Sequence, residues 1–223
     1  MNIQAASDHF GERTVGEIAA SLPGATAVFR DYRLDFCCGG DVPLRDAAAR
    51  RGIATSEIAE RLAALGQSDA LAYPQETSAL IDHILVRYHQ THRRELPELI
   101  RLARKVESVH RDHAAAPRGL ADELELMSTE LDAHMQKEEE VLFPMMRRVD
   151  EGQPLGPPVA VMRAEHDDHG THLHRLDAIT DGFRVPEGAC RSWQALYAGT
   201  AKLVDDVMAH VHLENHVLFP RFE

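Results

Sequence analysis

The sequence predicts an all-α protein in which an up-down-up-down four-helix bundle follows a small N-terminal helical domain. Strand signals are nearly absent: no segment alternates Val, Ile, Thr and aromatics, while Ala, Leu, Glu and Arg fill long stretches at spacings of three and four. Four long amphipathic patterns, at 78–109, 119–149, 158–180 and 186–217, are joined by short connections at or beside Pro117, Pro154, Pro157 and Pro186. The second half of the chain also repeats itself, and that repeat carries the chemistry.

Taken in order, the first elements are short. Thr14 followed by Glu17 reads as a capping box that opens a helix, and Pro23-Gly24 ends it and starts another toward Asp31. Cys37-Cys38-Gly39-Gly40 reads as a turn, with a further helix from about Pro43 and one over 55–65, all around a thin core. The expected organisation is a small helical domain at 1–66, a linker at 67–77 containing Pro74, and the bundle at 78–223. Pro97 falls inside the first long helix and should kink it.

Composition excludes several classes. The net charge of −12 repels polyanions, and no Lys/Arg run interleaved with aromatics appears, so nucleic acid is set aside. Met1 to Asp8 has neither a basic start nor an apolar core, and no apolar run approaches the about 18 residues of a membrane span. No membrane partner is expected, and the protein reads as cytoplasmic. Three cysteines, Cys37, Cys38 and Cys190, argue against a secreted disulfide framework and for reduced thiols. Cys190 reads as structural.

Histidine is the outlier, with 14 copies of which only His9 precedes residue 83. The segment His134-Met-Gln-Lys-Glu138-Glu-Glu-Val-Leu-Phe-Pro144 matches His210-Val-His-Leu-Glu214-Asn-His-Val-Leu-Phe-Pro220 without a gap at an offset of 76 (210 − 134), sharing His, Glu, Val, Leu, Phe and Pro. Upstream, His89-Gln-Thr-His92 and His166-Asp-Asp-His169 repeat at an offset of 77 (166 − 89). The bundle is therefore a duplicated helix pair with an approximate twofold axis.

Residues i and i+4 share a helix face, so His134 with Glu138, and His210 with Glu214, can each reach one metal-sized volume. The stripe Val159, Met162, His166, His169, Leu173 and Leu176 points the other histidines at the core. Burying clustered imidazoles and carboxylates unsatisfied costs several kcal/mol, so metal is the economical reading. Nitrogen and oxygen donors without thiolate favour Fe, Mn or Zn, and two carboxylates in a bundle are placed to bridge two ions. A zinc hydrolase would need HExxH or its reverse, and neither occurs.

Arg87-Tyr88-His89, His134-xxx-Glu138, Glu165-His166 and His210-xxx-Glu214 with Val-Leu-Phe-Pro, preceded by Asp35-Phe36-Cys37-Cys38-Gly39-Gly40, closely resemble the Repair of Iron Centres family of the YtfE/ScdA/DnrN type over nearly the whole chain. The resemblance implies a hemerythrin-like bundle behind an ScdA-type N-terminal domain. It implies two non-haem irons with carboxylate and oxo or hydroxo bridges, His89, His134, His166 and His210 as terminal ligands and Glu138 and Glu214 bridging. It selects the first histidine of each HxxH and leaves His92 and His169 outside the ligand set.

The function so implied is a stress response, the repair of iron-sulfur clusters damaged by nitrosative or oxidative stress, with damaged iron-sulfur proteins as clients. Cys37-Cys38 reads either as a turn with one cysteine packed inward as a small hydrophobe, or as a thiol pair that handles iron, NO or a redox partner as the docking or transfer group. Two alternatives stay open: a non-haem di-iron enzyme that reduces NO, and a carrier or sensor of O₂ or NO. No electron-donor cofactor motif is visible, so enzyme status is open with a lean against it. A homodimer is also open.

Overall fold

The computed structural model describes residues 9–65, 73–149 and 152–223. Among these, every extended element is helical, and the sole β-type pairing is an isolated bridge between Thr14 and Pro43. The chain forms two compact units, one of residues 1–80, 151–154 and 208–223, the other of residues 81–150 and 155–207. Met1 to Asp8 and most of the expected linker, 67–72, lie outside the described residues.

In the first unit, α1 (Val15–Ser21), α2 (Ala25–Asp31), α3 (Leu44–Arg50) and α4 (Thr55–Ala64) form around the expected signals. The capping box is reciprocal: Glu17 N–H donates to Thr14 Oγ1 (3.2 Å) and Thr14 N–H to Glu17 Oε2 (3.1 Å). Gly24 enters α2 at φ 88°, a left-handed conformation that only glycine adopts cheaply. The core is fuller than four short helices promise, with Val15, Ile18, Phe29, Phe36, Leu44 and Ile58 all at 0% exposure. Each such side chain contributes roughly 1.5–3 kcal/mol by leaving water.

A long helix begins at α5 (Thr77–Ile84), where the Glu76 carboxylate accepts the amides of Ser78 and Ala79. It widens to a π-turn at Leu85–His89 and continues as α6 (Gln90–Val109), unbroken through Pro97. Next come α7 (Leu120–Lys137), a second π-turn (Glu138–Leu142) and α8 (Phe143–Met146). The last two helices are α9 (Gly156–Ile179) and α10 (Arg191–Leu213); α10 passes into a third π-turn (Glu214–Leu218) and a 3-10 turn (Phe219–Phe222).

Ion pairs fix the topology of the second unit. Arg93 with Asp132 and Arg104 with Glu125 lay α6 antiparallel to α7. His134 with Glu165 and His172 with Glu123 do the same for α7 and α9, and Arg87 with Asp206 and Lys202 with Glu95 for the first and last helices. The result is the up-down-up-down bundle the sequence predicts, packed on Ala103, Leu124, Leu131, Leu176, Trp193 and Leu196. One boundary moves: the last helix begins at Arg191 rather than 186, because Gly188 takes φ 79° and turns the chain first.

Candidate metal centre

Glu138 opens the second π-turn, so the Phe143 N–H donates five residues back to the Glu138 carbonyl instead of four. Pro144, next in line, has no N–H to offer, so the helix gives up a regular bond there in any case. The same sequence of events recurs at Glu214, where Phe219 N–H donates to the Glu214 carbonyl ahead of Pro220.

Glu138 is fully buried and stands between two imidazoles. Its Oε2 is 3.4 Å from His89 Nε2, and its Oε1 is 3.5 Å from His134 Nε2. His166 Nε2 lies 3.1 Å from His134 Nε2, and His134, Glu138 and His166 each place a ligand atom within 4.8 Å of the others. On the last helix His210 Nε2 is 3.0 Å from Glu214 Oε1, with both side chains buried. His92 and His169 are also buried; His92 packs against the Tyr88 ring and His169 stands edge-on to His134.

The outer nitrogens decide what the inner ones present. His89 Nδ1 is 2.7 Å from Glu139 Oε1, which also accepts from Arg93 Nη1 at 2.6 Å. Burial raises the Glu139 carboxyl, but the hydrogen bonds from Arg93 and His89 outweigh it and hold the group below the ordinary carboxylate value. An ionised carboxylate can only accept, so Nδ1 carries a proton and Nε2 is the nitrogen left to offer a lone pair toward Glu138. His134 is arranged alike: Nδ1 is 2.9 Å from Glu165 Oε2, Lys137 pairs with the other Glu165 oxygen, and Glu165 is lowered on the same balance of burial against its two donors.

Imidazole lone pairs and carboxylate oxygens thus converge on both sides of Glu138. Such acceptors repel one another unless a proton or a metal ion joins them, and carboxylate–histidine pairs behind the ligands are how metal sites fix an imidazole. The residues fit a nitrogen- and oxygen-ligated metal.

Sequence reasoning had no role for Glu139, Glu165, Arg93 or Lys137. The signal was present only as adjacency, since Glu139 follows one bridge candidate and Glu165 precedes a histidine candidate.

Cys37 and Cys38 lie in the first unit on the expected turn, with Sγ atoms 3.6 Å apart and Cys37 Sγ 3.2 Å from Asp35 Oδ1. The hydrogen bond with Cys38, burial and the nearby Asp35 charge push the Cys37 thiol well up. Within that unit the loop is held by the end of the last helix: His212 Nδ1 meets the Phe36 carbonyl (3.2 Å), while Asn215 Nδ2 (3.3 Å) and His216 Nε2 (3.1 Å) meet that of Cys37. Cys190, read as structural, is instead exposed, its sulfur 3.1 Å from His110 Nε2. No helix among the described residues is long and apolar enough to cross a membrane.

The hemerythrin HHE cation binding domain family matches residues 80–222, and the ScdA_N family, a domain of unknown function (DUF542), matches residues 11–66. The iron-sulfur cluster repair protein YtfE of Dickeya chrysanthemi is 44% identical over 216 residues, covering 96% of this chain and 97% of the relative. A probable iron-sulfur cluster repair protein of Haemophilus influenzae is 44% identical over 217 residues (95% and 97%), and YtfE of Cronobacter sakazakii 47% over 216 (95% and 96%). With an ScdA_N segment ahead of a histidine-lined bundle, and such identity from end to end, the chain belongs to the hemerythrin HHE cation-binding family and, within it, to the YtfE family.

Proposed function

We propose that the chain is a di-iron protein that repairs iron-sulfur clusters damaged by nitrosative or oxidative stress. In this reading His89, His134, His166 and His210 are terminal ligands of two irons, and Glu138 and Glu214 bridge them. The disposition of Glu138 supports it most directly: one buried carboxylate turns a different oxygen toward each of two imidazoles, which a single ion would not require. The 76-residue repeat gives Glu214 and His210 the same standing. The relatives' names supply the biological role.

Bound iron would supply one-electron chemistry and coordination positions for NO or O₂. The chain's own residues orient and insulate it. Glu139 and Glu165 keep the Nε2 lone pairs of His89 and His134 aimed inward, Arg93 and Lys137 keep those carboxylates ionised, and Phe143, stacked 5.8 Å from the His89 ring, excludes water. Cys37 and Cys38 are the group that hands iron or NO to the client, within the 1–66 domain and ahead of the bundle at 78–223. Repair belongs in the cytoplasm, where thiols stay reduced.

The test uses anaerobic, iron-loaded protein with and without Cys37→Ser and Cys38→Ser, following iron transfer to an apo-cluster acceptor, NO consumption and N₂O formation. We expect two irons per chain and cluster restoration that falls in the cysteine variants. One ion per chain, or two zincs after growth in ample iron, overturns the centre. Turnover of NO to N₂O without an acceptor assigns an NO-reducing enzyme instead, and reversible gas binding alone a carrier or sensor.

A further inference from the structure

Asp35, Cys37 and Cys38 form a cluster of metal-ligating groups of a different chemistry from the histidines and glutamates, each offering a ligand atom within 4.8 Å of the others. The separation of the two sulfurs is informative. Sulfurs in a disulfide are about 2.05 Å apart, whereas two thiolates at about 2.3 Å from one tetrahedral ion stand about 3.8 Å apart. At 3.6 Å, the Cys37 and Cys38 sulfurs have the bite of a chelate.

The loop that presents them is built rather than loose. Asp35 Oδ1 accepts the backbone amides of both Cys37 and Cys38 at 3.0 Å, which turns the two side chains to one side. The second carboxylate oxygen, Oδ2, lies beside Gly39, where a Cβ would come within 3.1 Å of it. Gly40 admits no side chain either, since a Cβ would stand 2.8 Å from the Phe36 carbonyl and 2.5 Å from His216 Nε2. Its own carbonyl takes the Gly16 N–H at 2.8 Å. Cys37 is buried, while Cys38 and Asp35 are partly exposed, so the cluster has a closed side and an open one.

We propose that Asp35, Cys37 and Cys38 are a second cation site, taking one borderline-soft divalent ion through two thiolates and a carboxylate, with a fourth position open toward solvent. Binding releases one proton from each thiol to the medium and involves no change of oxidation state. Three protein ligands and an open position are the arrangement of a site that exchanges a ligand with a visitor, unlike a closed structural tetrahedron. That the ion is cargo Fe²⁺ on its way to a client rests on the repair reading; that the site binds metal does not.

Co²⁺ is the probe, added to full-length protein under anaerobic, reducing conditions. The expected result is a thiolate-to-cobalt charge-transfer absorption saturating at one equivalent, with two fewer reactive thiols per chain. Cys37→Ser and Cys38→Ser each abolish the absorption, and Cys190→Ser leaves it intact. Asp35→Asn preserves an acceptor for the two loop amides, so a purely structural Asp35 predicts unchanged affinity; a ligand predicts a loss of at least about tenfold. No absorption with both thiols still reactive, oxidation of the pair to a disulfide in place of metal uptake, or unchanged Co²⁺ affinity in Asp35→Asn overturns the proposal. Iron counts at the histidine–glutamate centre, read on the same variants, keep the two questions apart: an iron-free centre with an intact cobalt band sinks repair and leaves this site standing.

Discussion

The two copies of the His-xxx-Glu segment, His134 to Pro144 and His210 to Pro220, share a backbone and differ in employment. Each runs as an α-helix into a five-residue π-turn that starts on the glutamate, and each reaches proline two residues after the turn's last. Of the five positions at which they diverge, three differ in what they meet: Gln136 and His212, Glu139 and Asn215, Glu140 and His216. In the first copy Gln136 and Glu140 are exposed, and Glu139 steadies the His89 imidazole. In the second, all three positions face the cysteine loop. His212 is pushed down to about 4 by burial and by His216, against a smaller upward pull from the Phe36 carbonyl, so it meets that carbonyl as a neutral imidazole. The inward positions of the two copies are shared while their flanks diverge, and here one flank meets the His89 imidazole and the other a thiol loop.

The largest effects are expected at the positions the two copies share. Glu138→Leu and Glu214→Leu should each abolish magnetic coupling between the irons and cut occupancy, and the two should behave alike, while His92→Ala and His169→Ala keep a coupled pair. Mössbauer spectra with iron counts on all four variants decide it; a coupled centre surviving in either glutamate variant would falsify the bridging assignment. At the diverged positions the effects should part. Glu139→Ala should weaken metal binding about 10–100-fold by freeing the His89 ring. Asn215→Ala should leave metal affinity near wild type and speed alkylation of Cys37, measured by mass spectrometry, and equal metal defects in both would erase the distinction.

Smaller effects sharpen it. Gly40→Ala forces a Cβ against the Phe36 carbonyl and the His216 ring and should cost about 1–3 kcal/mol in urea unfolding. Its added hydrogen exchange should concentrate in 35–44, and exchange spread evenly into α7 would contradict a local clamp. Last comes Asp206, one turn before His210. Its counterpart 76 residues earlier, Glu130, meets His172 (2.7 Å), whereas Asp206 accepts from Arg87 (2.6 Å) and Lys202 (2.8 Å). Burial raises the Asp206 carboxyl, but the hydrogen bonds from Arg87 and Lys202 leave it below its ordinary value. A lowered carboxylate stabilises fully above its unfolded pKa and stops doing so as pH falls through the folded one. Asp206→Asn should therefore cost on the order of 1 kcal/mol at neutral pH, and its deficit should fade below about pH 4.

Much of this was legible in the sequence because it is periodic. The four bundle helices and the His-xxx-Glu pairs rest on spacings of three and four and on an ungapped repeat, which survive without knowledge of any contact. The π-turns were not legible: widening a helix by one residue leaves no compositional mark beyond Pro144 and Pro220, and the turn ending at His89 lacks even a proline beside it. The support that Glu139 and Glu165 give was not legible, because the imidazoles they meet sit on other helices. The start of α10 was misplaced because a proline at 186 looks like a helix start, while the chain turns at Gly188 first. The hold of His212, Asn215 and His216 on the cysteine loop had no local signal at all.

That hold joins residues 176 to 179 positions apart, and the separation has a kinetic meaning. Chains are made from the N-terminus and domains tend to fold as they emerge, so the cysteine loop leaves the ribosome long before the segment that clamps it. Closing so long a loop is entropically deferred until the intervening helices have condensed and brought their ends together. The first unit can thus build its small core early, but its thiols reach their final setting only after the bundle has formed. Synthesis order therefore delays the final setting of the cysteine pair until the end of the last helix has been made.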